Sequence, residues 1–433
     1  MIIGIVKNSK NAFYSDNPTL SEKEDRIVSE PIKKIKKTPE SYSPKGRPEI
    51  LNMMEQSKKS KQHEHLTENV LQGIPYMGYG DPSAVCYIGS VMRLMEYLDD
   101  PIEADELFAL SGTAMCFPWK AGLCCDEVSI LAEIPQRTFE ALGYESEYIY
   151  EPNVYIEPYS LTGTREMING QPKMTINPHK YSKDFYTEKI KNSIDKGRPV
   201  IGFGLTELNF TCLITGYRDG GNGLNIRAYW SPHGEPKGYG GDDHYYYTEN
   251  WYEKCCGIVI VGDKTRERLV GEQAYRHIRE IAKILYEKKT EYTQGEVIYN
   301  NTASFDNMVQ WLLNDDWWRD DFDVGNRDMY LKPVGLLLLN HYRSYLHSYL
   351  SRLSEQYPGL VNPGISLAIE RLGENFPGAH HSQLYLNECI DPALTDFTMM
   401  HDRNIREKVA AYVERLKKMN QAIFDCLIGT EAK

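Results

Sequence analysis

Cys86 stands where a thiol can do chemistry. Asp81-Pro82-Ser83 reads as a helix entry, a capping acid followed by proline at the first helical position. From there Val85, Ile88, Val91, Met92, Met95 and Leu98 recur at three- and four-residue steps. That spacing predicts an amphipathic helix ending at Asp99-Asp100-Pro101, with Cys86 in its first turn. Backbone N–H groups at a helix start stabilise a thiolate and lower its pKa, so Cys86 is the candidate nucleophile. The competing reading is a small buried hydrophobe, the ordinary fate of a free cysteine in a reducing compartment.

Thiol catalysis also needs a base that protonates the leaving group, and a carboxylate or amide that orients the base. His233, in Ser231-Pro232-His233-Gly234-Glu235-Pro236, is the base candidate from a loop. Tyr79 and Asp81 before the helix, Thr211 at the head of a strand, and Trp230 and Ser231 after another are the candidate binding residues. His244 follows Asp242-Asp243, but three adjacent side chains rarely converge on one ion, so no metal site is assigned. The nine cysteines contain no C-x-x-C pair. Gly238-Tyr239-Gly240-Gly241 lacks the Lys-Ser/Thr ending of a phosphate-cradling loop, and no cofactor is assigned.

The elements that must position Cys86 follow from local pattern. Residues 104–110 continue as helix into a Ser111-Gly112 turn. Residues 129–142 form another amphipathic helix closed by Gly143, and 144–150 alternate as a strand. Residues 151–183 are rich in Pro and Tyr and read as an excursion or lid, and 185–195 as a helix. Gly197-Arg198-Pro199 then opens an apolar strand at 199–203. Strands at 210–215, 224–229 and 257–261 follow, with the turn-rich Gly216-Tyr217-Arg218-Asp219-Gly220-Gly221 after the second. Strands flanked by helical segments predict an α+β domain with an antiparallel sheet. Cys212, in mid-strand between apolar neighbours, reads as core.

This order is similar to the N-terminal domain of butirosin biosynthesis protein H and its relatives, a papain-like group related to the bacteriocin-processing cysteine peptidases. The residues carrying the resemblance are Cys86 with 92–98, Leu110-Ser111-Gly112-Thr113-Ala114, Ala141-Leu142-Gly143-Tyr144, 197–201 and 213–217, over roughly residues 70–262. The resemblance implies a papain-like fold, with Cys86 moving an acyl group from a carrier protein to an amine. Active members of the peptidase group place a histidine at the start of the strand leading into Gly-Tyr. Here that place holds Phe210-Thr211-Cys212. They place Asp or Asn after the next strand, and here Ser231 stands there. No Gln lies a few residues before Cys86. Two functions are therefore expected: a papain-like domain that binds a small molecule or partner without catalysis, which the missing histidine favours, or a Cys86-dependent acyltransferase or peptidase, which the helix-start thiol favours.

Beyond residue 265 the pattern becomes helical, at 270–288, 305–314, 334–353, 364–372 and 405–427, broken by Pro-Gly pairs. Residues 265–433 are expected to form an all-α bundle and 67–264 the papain-like domain, with a homodimer face on the bundle. Residues 1–66, rich in Lys, Ser and Pro, are expected to be a poorly ordered basic arm. The Tyr and His stripe of Tyr342, Tyr345, Tyr349, His341 and His347 reads as packing. Asp315-Asp316-Trp317-Trp318-Arg319-Asp320-Asp321 reads as a loop pinned by tryptophan, with cation or amine binding as the sharper alternative. Charge supports the same picture: 49 basic against 61 acidic residues, a net of −12, argues against a nucleic-acid partner. The longest apolar run, at 334–339, is too short for a membrane span. Residues 1–6 lack the build of a signal peptide, so the expected location is cytoplasmic.

Overall fold

The computed structural model describes residues 67–77, 85–119, 134–151, 155–156, 167–168, 171–172, 175–176, 178–205, 211–228, 245–286, 289–292, 296–318, 334–374 and 401–429. Contacts divide the chain at Leu66/Thr67, and all of these belong to the second unit, Thr67–Lys433.

The fold is α+β, built on a seven-stranded antiparallel sheet. Its strands are β1 (Asn69–Val70), β3 (Tyr144–Tyr150), β4 (Val200–Phe203), β5 (Cys212–Arg218), β6 (Gly223–Arg227), β7 (Tyr246–Glu249) and β8 (Gly257–Lys264); β2 (Pro118–Trp119) belongs to a separate sheet. The order is β7-β6-β5-β4-β8-β3, with β1 added along β5. The four strands read from the sequence around 199–261 are all present. β1 and β7 were not legible, because two residues are too few to show a pattern and the β7 run Tyr246-Tyr247-Thr248-Glu249 has no apolar alternation. Two further two-residue ladders join Tyr155–Ile156 to Thr175–Ile176 and Met167–Ile168 to Gln171–Pro172.

Alternation sends successive side chains to opposite faces, and the two faces have separate cores. On one face Ile201, Phe203, Leu213, Val259 and Val261 meet α1 (Cys86–Tyr97), α2 (Ala104–Ser111) and α3 (Ile134–Leu142). On the other, Val200, Cys212, Ile214 and Ile258 meet Tyr186, Ile190 and Ile194 of α4 (Lys183–Ile194) and Trp251 of α5 (Trp251–Lys254). Ser182 caps α4 by accepting from the Phe185 N–H at 3.2 Å.

The Gly216-Tyr217 pair of β5 has a structural reason. A Cβ on Gly216 would lie 2.6 Å from the Asn69 oxygen, so β1 runs alongside β5 only because residue 216 is glycine. The Tyr217 hydroxyl donates to Asp195 Oδ1 at 2.8 Å, and Asn69 Nδ2 donates to the same oxygen at 2.9 Å, fastening β5 and β1 to the end of α4.

The α1-side core continues without a break into the C-terminal helices. These are α6 (Gly271–Leu285), α7 (Thr302–Leu313), α8 (Val334–Gln356), α9 (Pro363–Glu374) and α10 (Arg403–Ile428). Each matches a helix read from the sequence. Residues 265–433 are not purely helical, however. β9 (Lys289–Tyr292) and β10 (Glu296–Asn300) form a hairpin where only a connector was legible, and β10 pairs with β2. Phe108 stacks on Tyr345 at 4.2 Å, and Tyr342 and Tyr349 are buried, so the tyrosine stripe of α8 is packing.

Arg343 locks this layer together. It is fully buried. Nε and Nη2 donate to Asn420 Oδ1 at 3.0 and 2.8 Å, and Nη2 also donates to Asn301 Oδ1 at 3.0 Å. Nη1 donates to the Ala114 and Cys116 carbonyls, and Nη2 to that of Met115. Burial pulls the guanidinium pKa down to about 9, which leaves it charged at neutral pH. Asn301 extends the network by donating to the Met115 and Leu285 carbonyls.

The Asp315 cluster is likewise occupied from within. Asp315 forms ion pairs with Arg403 and Arg406, and Trp318 meets Trp311 edge-on at 4.6 Å. That agrees with a loop pinned by tryptophan; Asp320 and Asp321 lie outside the described residues.

Candidate functional site

Cys86 is the first residue of α1, preceded by Val85 in extended conformation as N-cap. Val85 supplies no side-chain cap, and the first turn holds no acid. The expected capping residues Asp81-Pro82-Ser83 lie outside the described residues. The helix runs with Ile88, Val91, Leu94 and Met95 buried, as the spacing predicts. α1 packs against β5. Cys86 is 5% exposed, yet it belongs to neither apolar core, although its neighbours Val85, Tyr87 and Ile88 are all in the α1-side core.

Thr211 precedes β5 and is buried. Leu213 faces α1 and Cys212 faces α4, so the two-residue period puts Thr211 on the α1 side. The head of β5 thus faces α1 with a hydroxyl instead of an imidazole. Tyr79, Trp230, Ser231, His233 and His244 lie outside the described residues.

Sequence reasoning missed three polar residues on this same side. Arg227 ends β6 opposite Leu213 of β5, is buried, and donates through Nη2 to the Ile74 carbonyl at 2.7 Å. Its guanidinium lies 4.1 Å from the Tyr245 ring centroid. Tyr245 in turn donates to the Leu71 carbonyl at 3.0 Å, so both residues hold the loop that leads toward α1. Asn225 of β6 is fully buried between Leu224 and Ile226, which face α4, so its own side chain faces the α1 side. Neither atom of its amide has a hydrogen-bond partner. Ser90, one turn after Cys86 on α1, is also fully buried with an unpartnered hydroxyl. Native interiors seldom leave such groups unpaired, and each costs about 1–3 kcal/mol. A polar residue in an otherwise apolar strand, as in Gly223-Leu224-Asn225-Ile226, is the one sequence signal that marks Asn225.

The α4 side carries a different group of residues. Glu151 follows β3, and its N–H donates to the Cys256 carbonyl at 2.7 Å. Its carboxylate accepts from the Tyr186 hydroxyl at 2.7 Å, from His179 Nδ1 at 3.0 Å, from the Tyr181 N–H at 3.1 Å and from the Lys180 N–H. Burial alone would raise the Glu151 pKa, but the hydrogen bonds from Tyr186, His179 and the two N–H groups outweigh it and hold the carboxyl below its ordinary range. Burial, with the Glu151 charge adding to it, pushes the Cys255 thiol up to about 12, so Cys255 is an inert thiol. Burial likewise raises Cys212, in agreement with its reading as core. Nothing in the sequence pairs Glu151 with His179 across the Pro- and Tyr-rich segment between them.

Among the described residues, no group of three His, Cys, Asp or Glu side chains is placed to hold a metal ion, and no helix is long and apolar enough to cross a membrane. Compared with known proteins, the chain matches no protein-family model and no curated protein.

Proposed function

We propose that residues 67–264 are a papain-like domain that binds a small molecule or a partner in the groove between α1 and the sheet, without using Cys86 as a nucleophile. What carries this reading is Asn225: a fully buried amide with no partner, on the face that α1 covers. A ligand amide or hydroxyl is the chemistry that satisfies a carboxamide, which both donates and accepts. Thr211 adds to it, because a threonine hydroxyl cannot take a proton from a thiol near neutral pH. The carboxylate-held imidazole of His179 lies on the opposite side of the sheet, where a base cannot serve Cys86.

The second reading is acyl transfer through Cys86, and its place as the first residue of α1 favours it. The N–H groups of a helix start would stabilise a thiolate there. In that case the sulfur attacks a carrier-bound thioester, the carrier thiol leaves, and an amine then displaces the acyl group from Cys86. His233 would be the base. An acyl-carrier protein and a cationic amine would be the partners in a cytoplasmic setting, with a homodimer face on the C-terminal helices.

Alkylation by iodoacetamide as a function of pH separates the two, read at Cys86 by peptide mass and compared with Cys86→Ala. The binding reading expects a rate no faster than that of a buried thiol, rising with pH throughout. A rate that plateaus below the free-thiol pKa of about 8.5, together with a covalent acyl adduct on Cys86 from a small acyl thioester, overturns it in favour of catalysis.

A further inference from the structure

We propose that Glu151 and His179 form a second site, on the α4 side of the sheet, that takes the ammonium group of a primary amine with His179 Nε2 as acceptor. It stands apart from the groove described above, since a sheet layer separates the two.

The geometry fixes the imidazole. Glu151 is ionised, and a carboxylate offers about four lone-pair positions. Tyr186, His179, Lys180 and Tyr181 fill them. A carboxylate cannot donate, so His179 Nδ1 carries the proton. The ring is clamped as well. It stacks on Tyr252 at 4.0 Å with an interplanar angle of 22°, and Tyr186 meets it edge-on at 6.2 Å. Tyr252 is held by its own hydroxyl, which donates to the Tyr181 carbonyl at 2.6 Å.

One atom is left over. The His179 side chain is 7% exposed, and its Nε2 is buried with no hydrogen-bond partner. Were the ring protonated there, a charged N–H would be buried without an acceptor, which costs more than a bare lone pair. Of the two neutral tautomers the carboxylate selects Nδ1–H, which leaves a lone pair on Nε2 in need of a donor.

Charge selects the class of donor. With His179 neutral, Glu151 leaves the cluster negative. Lys180, the adjacent cation, has its Nζ over the Tyr181 ring at 5.0 Å. An anion is excluded by Glu151. A primary ammonium supplies both an N–H for Nε2 and the missing positive charge. The carboxylate–imidazole pair also resembles the support given to a metal-bound histidine, but among the described residues no group of three His, Cys, Asp or Glu is placed to hold a metal ion.

The test uses the full chain labelled with 15N at histidine, titrated with methylammonium chloride against sodium chloride at equal ionic strength. His179→Gln assigns the resonance. Tyr252→Ala, which removes the stacked ring and leaves Glu151 in place, assigns it independently should the first variant fail to fold. The expected result is an unprotonated Nε2 at neutral pH that moves saturably with methylammonium, half-way at on the order of 10 mM for so small a ligand, and not with sodium. Glu151→Gln is expected to weaken that response at least about tenfold, because it removes the negative charge that the ammonium balances and the acceptor that fixes the His179 tautomer. A protonated Nε2 before any addition overturns the proposal. So does a resonance that reports a bound water and does not respond, or one that moves equally with sodium.

Discussion

Arg343 and Glu151 are both buried charges, and they are treated differently. Arg343, among the C-terminal helices, has every guanidinium nitrogen donating to an amide oxygen or a main-chain carbonyl. Glu151, beside the sheet, is just as fully satisfied, but the histidine that helps satisfy it keeps one ring nitrogen without a partner. The Arg343 guanidinium itself is fully paired and ties elements together, although the Asn420 amide nitrogen beside it is buried without a partner. An open network carries a free-energy cost that folding alone does not recover, and that cost is the physical mark of a place where something else binds. The sheet repeats the contrast on its α1 side, where the amide of Asn225 and the hydroxyl of Ser90 are open in the same sense.

The sharpest way to break this comparison is Arg343→Met. If the Arg343 network is structural, methionine leaves two asparagine oxygens and the turn carbonyls of 114–116 buried and unpaired. The expected loss is more than about 3 kcal/mol, seen as a lower urea midpoint with an unchanged slope. The network ties α8, α10 and Asn301 to the turn after α2, so the loss is expected to fall on the whole cooperative unit. A midpoint unchanged by the substitution would mean that Arg343 is an accommodated charge and not a keystone.

Glu151→Gln is expected to come next, at about 2 kcal/mol, the scale of hydrogen bonds to a charged group. Its signature is pH. The folded state holds the Glu151 carboxyl below its ordinary value of 4.5, so its contribution is present above that value. It is lost as pH falls through the lowered folded-state value. Acid unfolding of the wild type should therefore show a drop in stability below about pH 4.5 that the glutamine variant lacks. Parallel acid limbs in the two proteins would contradict an ionised Glu151, and with it the tautomer assigned to His179.

How much of this was legible beforehand depends on whether the signal is local. Helices α1, α2 and α4 and strands β3, β4, β5 and β8 declare themselves in periodicity, in the turn at Gly143 and in Gly197-Arg198-Pro199. The helix of Cys86 could be located to within a few residues, since the apolar stripe from Val85 to Leu98 carries it. The hairpin of β9 and β10 could not. Its run Lys289-Thr290-Glu291-Tyr292 is polar, and its pairing with Pro118-Trp119 joins segments far apart in sequence. Glu151 and His179 were hidden for the same reason. Each is an ordinary residue in a loop, and only the approach of α4 brings the Tyr186 hydroxyl and the 179–181 main chain onto one carboxylate. Thiol catalysis called for a histidine near Cys86. The described imidazole with a buried carboxylate partner lies across the sheet instead.

The smallest expected effect is also the most discriminating. Asn225→Leu replaces an unpartnered buried amide by an apolar side chain of similar size. Removing a polar group that makes no hydrogen bond relieves its desolvation cost, so the free protein should gain about 1 kcal/mol. Residues that serve binding at the expense of stability behave this way, whereas residues that serve the fold lose stability when replaced. Thermal unfolding of the two proteins decides it, with Thr215→Val as the control. Thr215 donates its hydroxyl to the Asn225 carbonyl at 3.1 Å, so that variant removes a made bond and should lose stability. A gain for the leucine variant beside a loss for the valine variant would place Asn225 with His179 among the open groups. A loss for both would place it with Arg343, as part of what holds the sheet together.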